Sequence, residues 1–392
     1  MTVTDHSKAT ADASHSHSHS HGAPAQSRAS RPSSFVAGDF AVPRGREEEW
    51  RFSPLKSLAP LFSENLAGQP LAITSTAPQG VSVRAVPAAD RVAIASPPAD
   101  RAAAVAWESA VEATEITIDA NVELAEPVFV KLDGAGQEPT ANHLQIVAGE
   151  NSVATVVLDH GGDAVVTQHV EIVARDGSQL TVVALHDWDE TAVHASSHRA
   201  RIGKDANLRH AVVTLGGKVV RVTPDAEFTG EGGSVEMFGL YFADSGQHQE
   251  HRLFVDHGMP RCRSRVTYKG ALAGESARTV WIGDVLIRAA AEGTDPSELN
   301  RNLVLTDGAR ADSVPNLEIE TGEIEGAGHA SATGRFDDEQ LFYLMSRGVA
   351  EPEARRLVVR GFFADLIHEI GVAAVEDRLI AAIDAELEAA DE

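Results

Sequence analysis

The sequence predicts a mainly β chain with a right-handed parallel β-helix core flanked by N-terminal and C-terminal helical elements. Two observations carry this. From about residue 143 to 325, a turn of Gly, Asp or Asn followed by an alternating strand keeps returning, whereas helical periodicity is confined to the two ends. The first large apolar residues of successive strands, Val153, Leu180, Leu208 and Val235, lie 27, 28 and 27 positions apart, and one further step reaches Cys262. Self-similarity at such a period means stacked coils that bury a continuous core only against their neighbours. A sandwich, with hairpin turns every ~8–12 residues, is the competing architecture.

Taken in order, residues 1–34 are Ser, Ala, His and Asp with almost nothing large and apolar, and are expected to form a disordered His/Ser-rich tail. Within it His15, His17, His19 and His21 alternate with serine, either as a solvated tract or as a chelator of a divalent metal. Residues 35–140 read as an N-terminal region of short helices and short strands. Trp50, Leu55, Leu58, Leu61 and Phe62 fall at mostly helical spacings divided by Pro54 and Pro60. VSVRAV, RVAIA, TEITI and PVFVKL read as strands, with a helix around Ala102 to Val111. The β-helix core is assigned to 141–330.

Residues 331–392 form a C-terminal helical domain. Asp337 and Asp338 are suited to cap its first helix, because a carboxylate there accepts unpaired amides and faces the positive dipole end. Pro352 opens the second helix where a first-turn proline is tolerated. Its apolar face is read as Leu357, Phe362, Leu366, Ile367 and Ile370. Burying such side chains contributes about 1.5–3 kcal/mol each, so the face must pack on the β-helix, with any surplus left for a partner.

Composition narrows the function. The chain has 392 residues, 33 Lys plus Arg against 58 Asp plus Glu, and a formal charge of -25, which argues against nucleic acid and anionic membranes as partners. No run reaches the roughly 20 apolar residues of a membrane span, and no basic-then-apolar leader opens the chain, so a cytoplasmic location is expected. One cysteine excludes internal disulfides and any all-cysteine metal site from a single chain.

Signals for ordinary catalysis are thin. There is no nucleophile elbow, phosphate loop, H-E-x-x-H or dinucleotide fingerprint, and the chain is not expected to be an enzyme. A β-helix carbohydrate-active enzyme is the remaining catalytic reading; an aromatic content of 5% counts against it, although HDWDE at His186 to Glu190 places polar groups beside Trp188. His186, His194, His198, His210, His248, His251 and His257 lie along the repeats, and stacked coils could align some of them, with His248 and His251 the nearest pair. Each is read singly as a surface or hydrogen-bonded histidine. Cys262 has Arg261, Arg263 and Arg265 around it, but its repeat position is that of core residues, so a buried structural thiol is expected.

One stretch carries a resemblance. PNLEI at 315–319, GHASATG at 328–334 and DDEQLFYLMSRG at 337–348 resemble the C-terminal signature of the SufB/SufD family, closer to SufD than to SufB. NRNLVL at 300–305, Arg355, Arg356, GFF at 361–363 and EEWRF at 48–52 extend it over roughly residues 40–392. The resemblance implies a β-helix core and a non-catalytic subunit of an iron-sulfur cluster assembly scaffold. Such a subunit pairs with a SufB-like protein and binds a SufC-like ATPase through its C-terminal helices.

By the same resemblance His329 lies at the SufB junction and takes part in building a transient Fe-S cluster shared with SufB, and a reduced flavin belongs to the complex as a whole. Phe342, Arg347, Arg355, Phe362 and Leu366 are the expected partner-binding residues. Ala327 stands where many SufD sequences have cysteine, Ala311 where SufB has its cluster-linked cysteine, and Gly328 and Ala330 where SufB has glutamates. These departures point to the SufD role. A purely structural homodimer that never touches iron is the alternative.

Overall fold

The computed structural model describes residues 30–336 and 338–390. Most of the predicted tail, with its four alternating histidines, lies outside them, as does Asp337. Of the described residues assigned above to the tail, Arg31 and Ser34 are half-buried. Arg31 reaches Asp225 at 3.2 Å and sits 4.4 Å from the Phe254 ring centroid.

The core is a parallel β-solenoid of about 8 turns, and 48% of the chain is strand. The N-terminal region contains α1 (Leu55–Leu58), β1 (Ala72–Ser75), β2 (Val81–Pro87), α2 (Arg101–Ser109) and β3 (Glu112–Ile118). Two long bent strands follow, β4 (Val128–Ala148) and β5 (Val153–Ala174). Next come β6 (Gln179–Trp188), β7 (Val193–Ile202), β8 (Asn207–Thr214), β9 (Val219–Phe228) and β10 (Ser234–Ala243). The solenoid closes with β11 (His248–His257), β12 (Arg263–Leu272), β13 (Arg278–Ile287), β14 (Asp295–Val304), β15 (Arg310–Ile319) and β16 (Gly328–Arg335).

The pairing explains the coil. The first half of β5 pairs with β6 and its second half with β7, each in parallel. From there two ladders grow side by side, β6-β8-β10-β12-β14-β16 and β7-β9-β11-β13-β15. Parallel pairing already starts at Thr114 against Leu144 and continues to Arg335, so the solenoid exceeds 141–330 at both ends. RVAIA is not a strand: Ile94 and Ala95 belong to an irregular segment whose amides are used by a side chain, Glu171.

One corner of each coil turns the chain through the left-handed region. Asn121, Asn151, Gly177, Asp205, Gly232, Arg261 and Gly293 all have positive φ, and each amide donates to a carbonyl of the next coil. Asn, Asp and Gly accept that conformation at least cost, which is why such residues punctuate the sequence. Leu180, Leu208 and Val235 stand in register as expected. At the ends the register corrects the reading: Ala154, not Val153, pairs with Leu180, and Ser264, not Cys262, pairs with Val235. The coil that begins with β10 (Ser234–Ala243) is longer than the one that begins with β8 (Asn207–Thr214), the extra residues lying before β11, so Cys262 falls just before β12; it is nevertheless buried in the core.

Alternation divides each strand between two environments. Leu180, Val182 and Ala184 face the solenoid interior, while Val183 and Leu185 face outward against the C-terminal helices. Those helices are α3 (Asp338–Ser346), α4 (Glu351–Ile370) and α5 (Ala373–Ala390). The buried face of α4 is Ala354, Val359, Phe363, Leu366, Ile367 and Ile370; Leu357 is exposed, contrary to expectation. The spacing 359, 363, 366, 370 keeps one stripe on the sheet, and Leu357 falls off it. The other ladder is covered by Trp50, Leu58, Leu61 and Phe62 packed on Val165, Val193 and Val219.

Candidate functional site at the open end of the solenoid

Among the described residues, β1–β3 lie over the first coils and nothing caps the last ones. β15 and β16 terminate the two ladders, and among the described residues each pairs along one edge only. Every residue of β16 is exposed, and β15 is half-buried nearly throughout. A strand edge in this state presents unpaired amides and carbonyls to another chain.

His329 lies on this last strand. It pairs in register with Glu298 of β14, is exposed, and its ring has no hydrogen-bond partner among the described residues. Ala327, Gly328 and Ala330 around it are exposed as well, leaving the imidazole uncrowded. Beneath it the interior is polar. Glu298 is buried, neither of its oxygens has a hydrogen-bond partner, and burial, reinforced by the negative charge of Asp284, pushes its carboxyl up to about 8.

Deeper still is a hydrogen-bonded cluster drawn from several coils. Asn302 donates to Asn300 at 2.8 Å and to Ser313 at 3.0 Å, Ser313 donates to Asn300 at 2.7 Å, and Tyr241 donates to Asn302 at 2.6 Å. Tyr241 and Tyr268 fit because Gly270 and Gly239 face them on the neighbouring coil; a Cβ at either glycine would overlap the ring. Sequence reasoning singled out His329 but missed Glu298 and the asparagines. The available signal was alternation within SELNRNLV, where Glu298, Asn300 and Asn302 are buried at every second position, not the count of 27.

The repeat-region histidines are not on the surface. His186, His194, His198, His210, His251 and His257 are buried within the solenoid, joined by His160. The rings of His160 and His186 stack at 4.7 Å, and His198 contacts His210 at 2.8 Å. Burial pulls these imidazoles down, His160 and His210 to about 4. His248 and His251 do not form a pair: they alternate, His251 bonding Thr214 inside and His248 facing Glu250 outside. Trp188 is also interior, donating to His194 at 3.0 Å, so it lines no sugar groove.

The expected partner residues separate into two groups. Phe342 is 74% exposed, Arg347 is exposed beside Tyr343, and Arg355 is half-buried over the Phe336 ring. Phe362 is half-buried at an open groove shared with Leu303, Arg335, Leu344 and Leu357. Leu366 is 0% exposed and committed to the chain's own core, so it is not offered to a partner in this fold.

A family model described as the SufBD core domain of SUF-system FeS cluster assembly matches residues 130–362, more than half of the chain. The chain belongs to the SufBD family. This SufBD chain is 52% identical over 366 residues to an iron-sulfur cluster assembly SufBD family protein of Mycobacterium tuberculosis, covering 91% of this chain and 92% of that one. It is 50% identical over 364 residues to a protein of the same description from Mycobacterium leprae, covering 91% and 93%. To the iron-sulfur cluster assembly protein SufD of Escherichia coli it is 27% identical over 190 residues, 48% of this chain and 44% of that one. None of the described helices is long and apolar enough to cross a membrane.

Proposed function

We propose that this chain is the SufD-type, non-catalytic subunit of a cytoplasmic iron-sulfur assembly scaffold. Its open solenoid end pairs with a SufB-like protein, its C-terminal helices bind a SufC-like ATPase, and His329 contributes an imidazole to the forming cluster. The observation that carries the reading is an exposed, unpartnered histidine on the terminal strand of an uncapped solenoid. A partner that adds its own strand to β15 or β16 would bring its side chains to His329 while satisfying the edge.

Imidazole suits iron, but a cluster also needs thiolates. Cys262 is buried and burial raises its thiol, so the thiolates come from the partner. The cluster is cargo, shared across the junction and passed on. A reduced flavin would belong to the assembled complex, and no residue of this chain is assigned to it. The surface for the ATPase is Phe342, Arg347, Arg355 and the edge of Phe362, with Leu366 beneath it as support. Without its partner, the same strand edge would let two copies pair, which gives the homodimer of the alternative reading.

The test is to purify the chain from its own cells through an affinity handle and identify what accompanies it. SufB-like and SufC-like proteins in defined stoichiometry are the expected result. A homodimer alone, from cells that express both candidate partners, would overturn the proposal.

A further inference from the structure

A second group of metal-ligating side chains lies far from the open end, on the outer face of the first coils. His143 of β4 and His169 of β5 are register partners, and Glu171 lies two residues beyond His169. Leu144, Ile146, Val170 and Ile172 point into the core, so alternation sends His143, His169 and Glu171 outward. There α2 covers them. All three are 0% exposed, and one donor atom from each lies within 4.8 Å of the others.

The hydrogen bonding is lopsided. Glu171 Oε1 accepts from the amides of Ile94 and Ala95 at 2.9 and 2.8 Å, which fixes the carboxylate. Its Oε2 accepts from Gln145 at 2.6 Å and faces His143 Nε2 at 2.9 Å. By contrast His143 Nδ1 and both nitrogens of His169 have no partner. A buried polar atom left unpaired costs about 1–3 kcal/mol. Among the described residues nothing repays that at His169.

We propose that His143, His169 and Glu171 form a binding site for a divalent first-row transition ion, separate from the cluster-assembly end. Two imidazoles and a carboxylate are the donor set of three-ligand zinc sites, and the amides of Ile94 and Ala95 orient the carboxylate as outer-shell partners do. Ligands about 2.0–2.1 Å from a tetrahedral ion stand roughly 3.3 Å apart. The His143 to Glu171 contact therefore opens by a few tenths of an ångström, and the Nε2 proton moves to the unpartnered Nδ1. Half-buried Trp107, its ring 4.8 Å from His143 and 6.2 Å from His169, separates the site from solvent.

The test uses the full chain with His6, His15, His17, His19 and His21 replaced by Asn, which removes competing tail ligands. Co2+ or Zn2+ is supplied both to the folded protein and during growth, so that slow entry is not mistaken for absence of a site. One equivalent of Co2+ per chain is expected, with a visible ligand-field band, quenched tryptophan fluorescence, a raised Tm, and displacement by Zn2+. His169→Leu should keep the circular dichroism of the fold, since no hydrogen bond is lost, and weaken binding by more than about tenfold. Should that variant misfold, His169→Gln serves the same purpose. No stoichiometric ion under either mode of supply, or equal binding by the folded His169 variant, would overturn the proposal.

Discussion

His329 stands directly across the parallel ladder from Glu298, in the last strand pair before the solenoid ends. The buried carboxyl has no hydrogen-bond partner and holds its proton up to about 8, against an ordinary 4.5. Between those values the folded chain binds a proton that the unfolded chain has lost, so stability falls as pH rises. Unfolding free energies from urea titrations at about pH 5 to 9 should decline by an amount on the order of a few kcal/mol. Glu298→Gln should flatten that decline; parallel profiles for the two proteins would refute the assignment.

The buried imidazoles predict the opposite slope at lower pH. His160 and His210 are held at about 4, and His251 and His257 at about 3, all by burial. Below their ordinary value of 6.5 the unfolded chain takes up protons that the folded chain refuses. Their contribution is therefore complete above 6.5 and is lost as pH falls toward 4. Replacing His186, which has no hydrogen-bond partner, by Leu should move the acid-unfolding midpoint down, read by near-ultraviolet circular dichroism.

Position on α3 and α4 should separate folding from partner binding. Leu366→Ala removes a fully buried side chain and should cost about 2–5 kcal/mol in chemical denaturation. Phe342→Asp, at a site 74% exposed, should leave stability within about 0.5 kcal/mol and weaken capture of a SufC-like ATPase. Unchanged capture by folded Phe342→Asp would place the ATPase surface elsewhere.

Cys262 should be chemically silent. Its sulfur lies 3.5 Å from the carbonyls of Gly230 and Pro260, and the neighbouring Arg263 and Arg265 are drawn to Asp295. A thiol reagent should react only on unfolding, and Cys262→Ala should cost about 1–2 kcal/mol without loss of cluster assembly. Fast labelling of the native protein would contradict this.

Much of the fold was legible because coil spacing is a local property: each coil needs one left-handed turn residue, and Asn151, Gly177, Asp205 and Gly232 announce it. Which side chains share a coil face was harder. The register drifts where a coil lengthens, as between the start of β10 and the start of β11, and that drift hid Glu298 and Asn300 from a count of 27. His143 and His169 are 26 residues apart, one coil, yet their burial depends on α2 folding back over β4 and β5, a long-range event with no local signature. The burial of Leu366 was hidden for a related reason: an apolar helix face does not say whether its cover is the chain itself or a partner.

The central claim is that this SufBD chain presents His329 to a forming cluster, and one measurement bears on it most directly. His329→Ala is co-expressed with the SufB-like and SufC-like partners, and the iron and acid-labile sulfide held by the purified complex are quantified against the parent. Because the ring is exposed and unpartnered, the variant should match the parent in Tm and subunit stoichiometry. The account predicts a fall in cluster content of at least about tenfold, in line with loss of a ligand worth 1.4 kcal/mol or more. Parental iron and sulfide in an intact His329→Ala complex would contradict it.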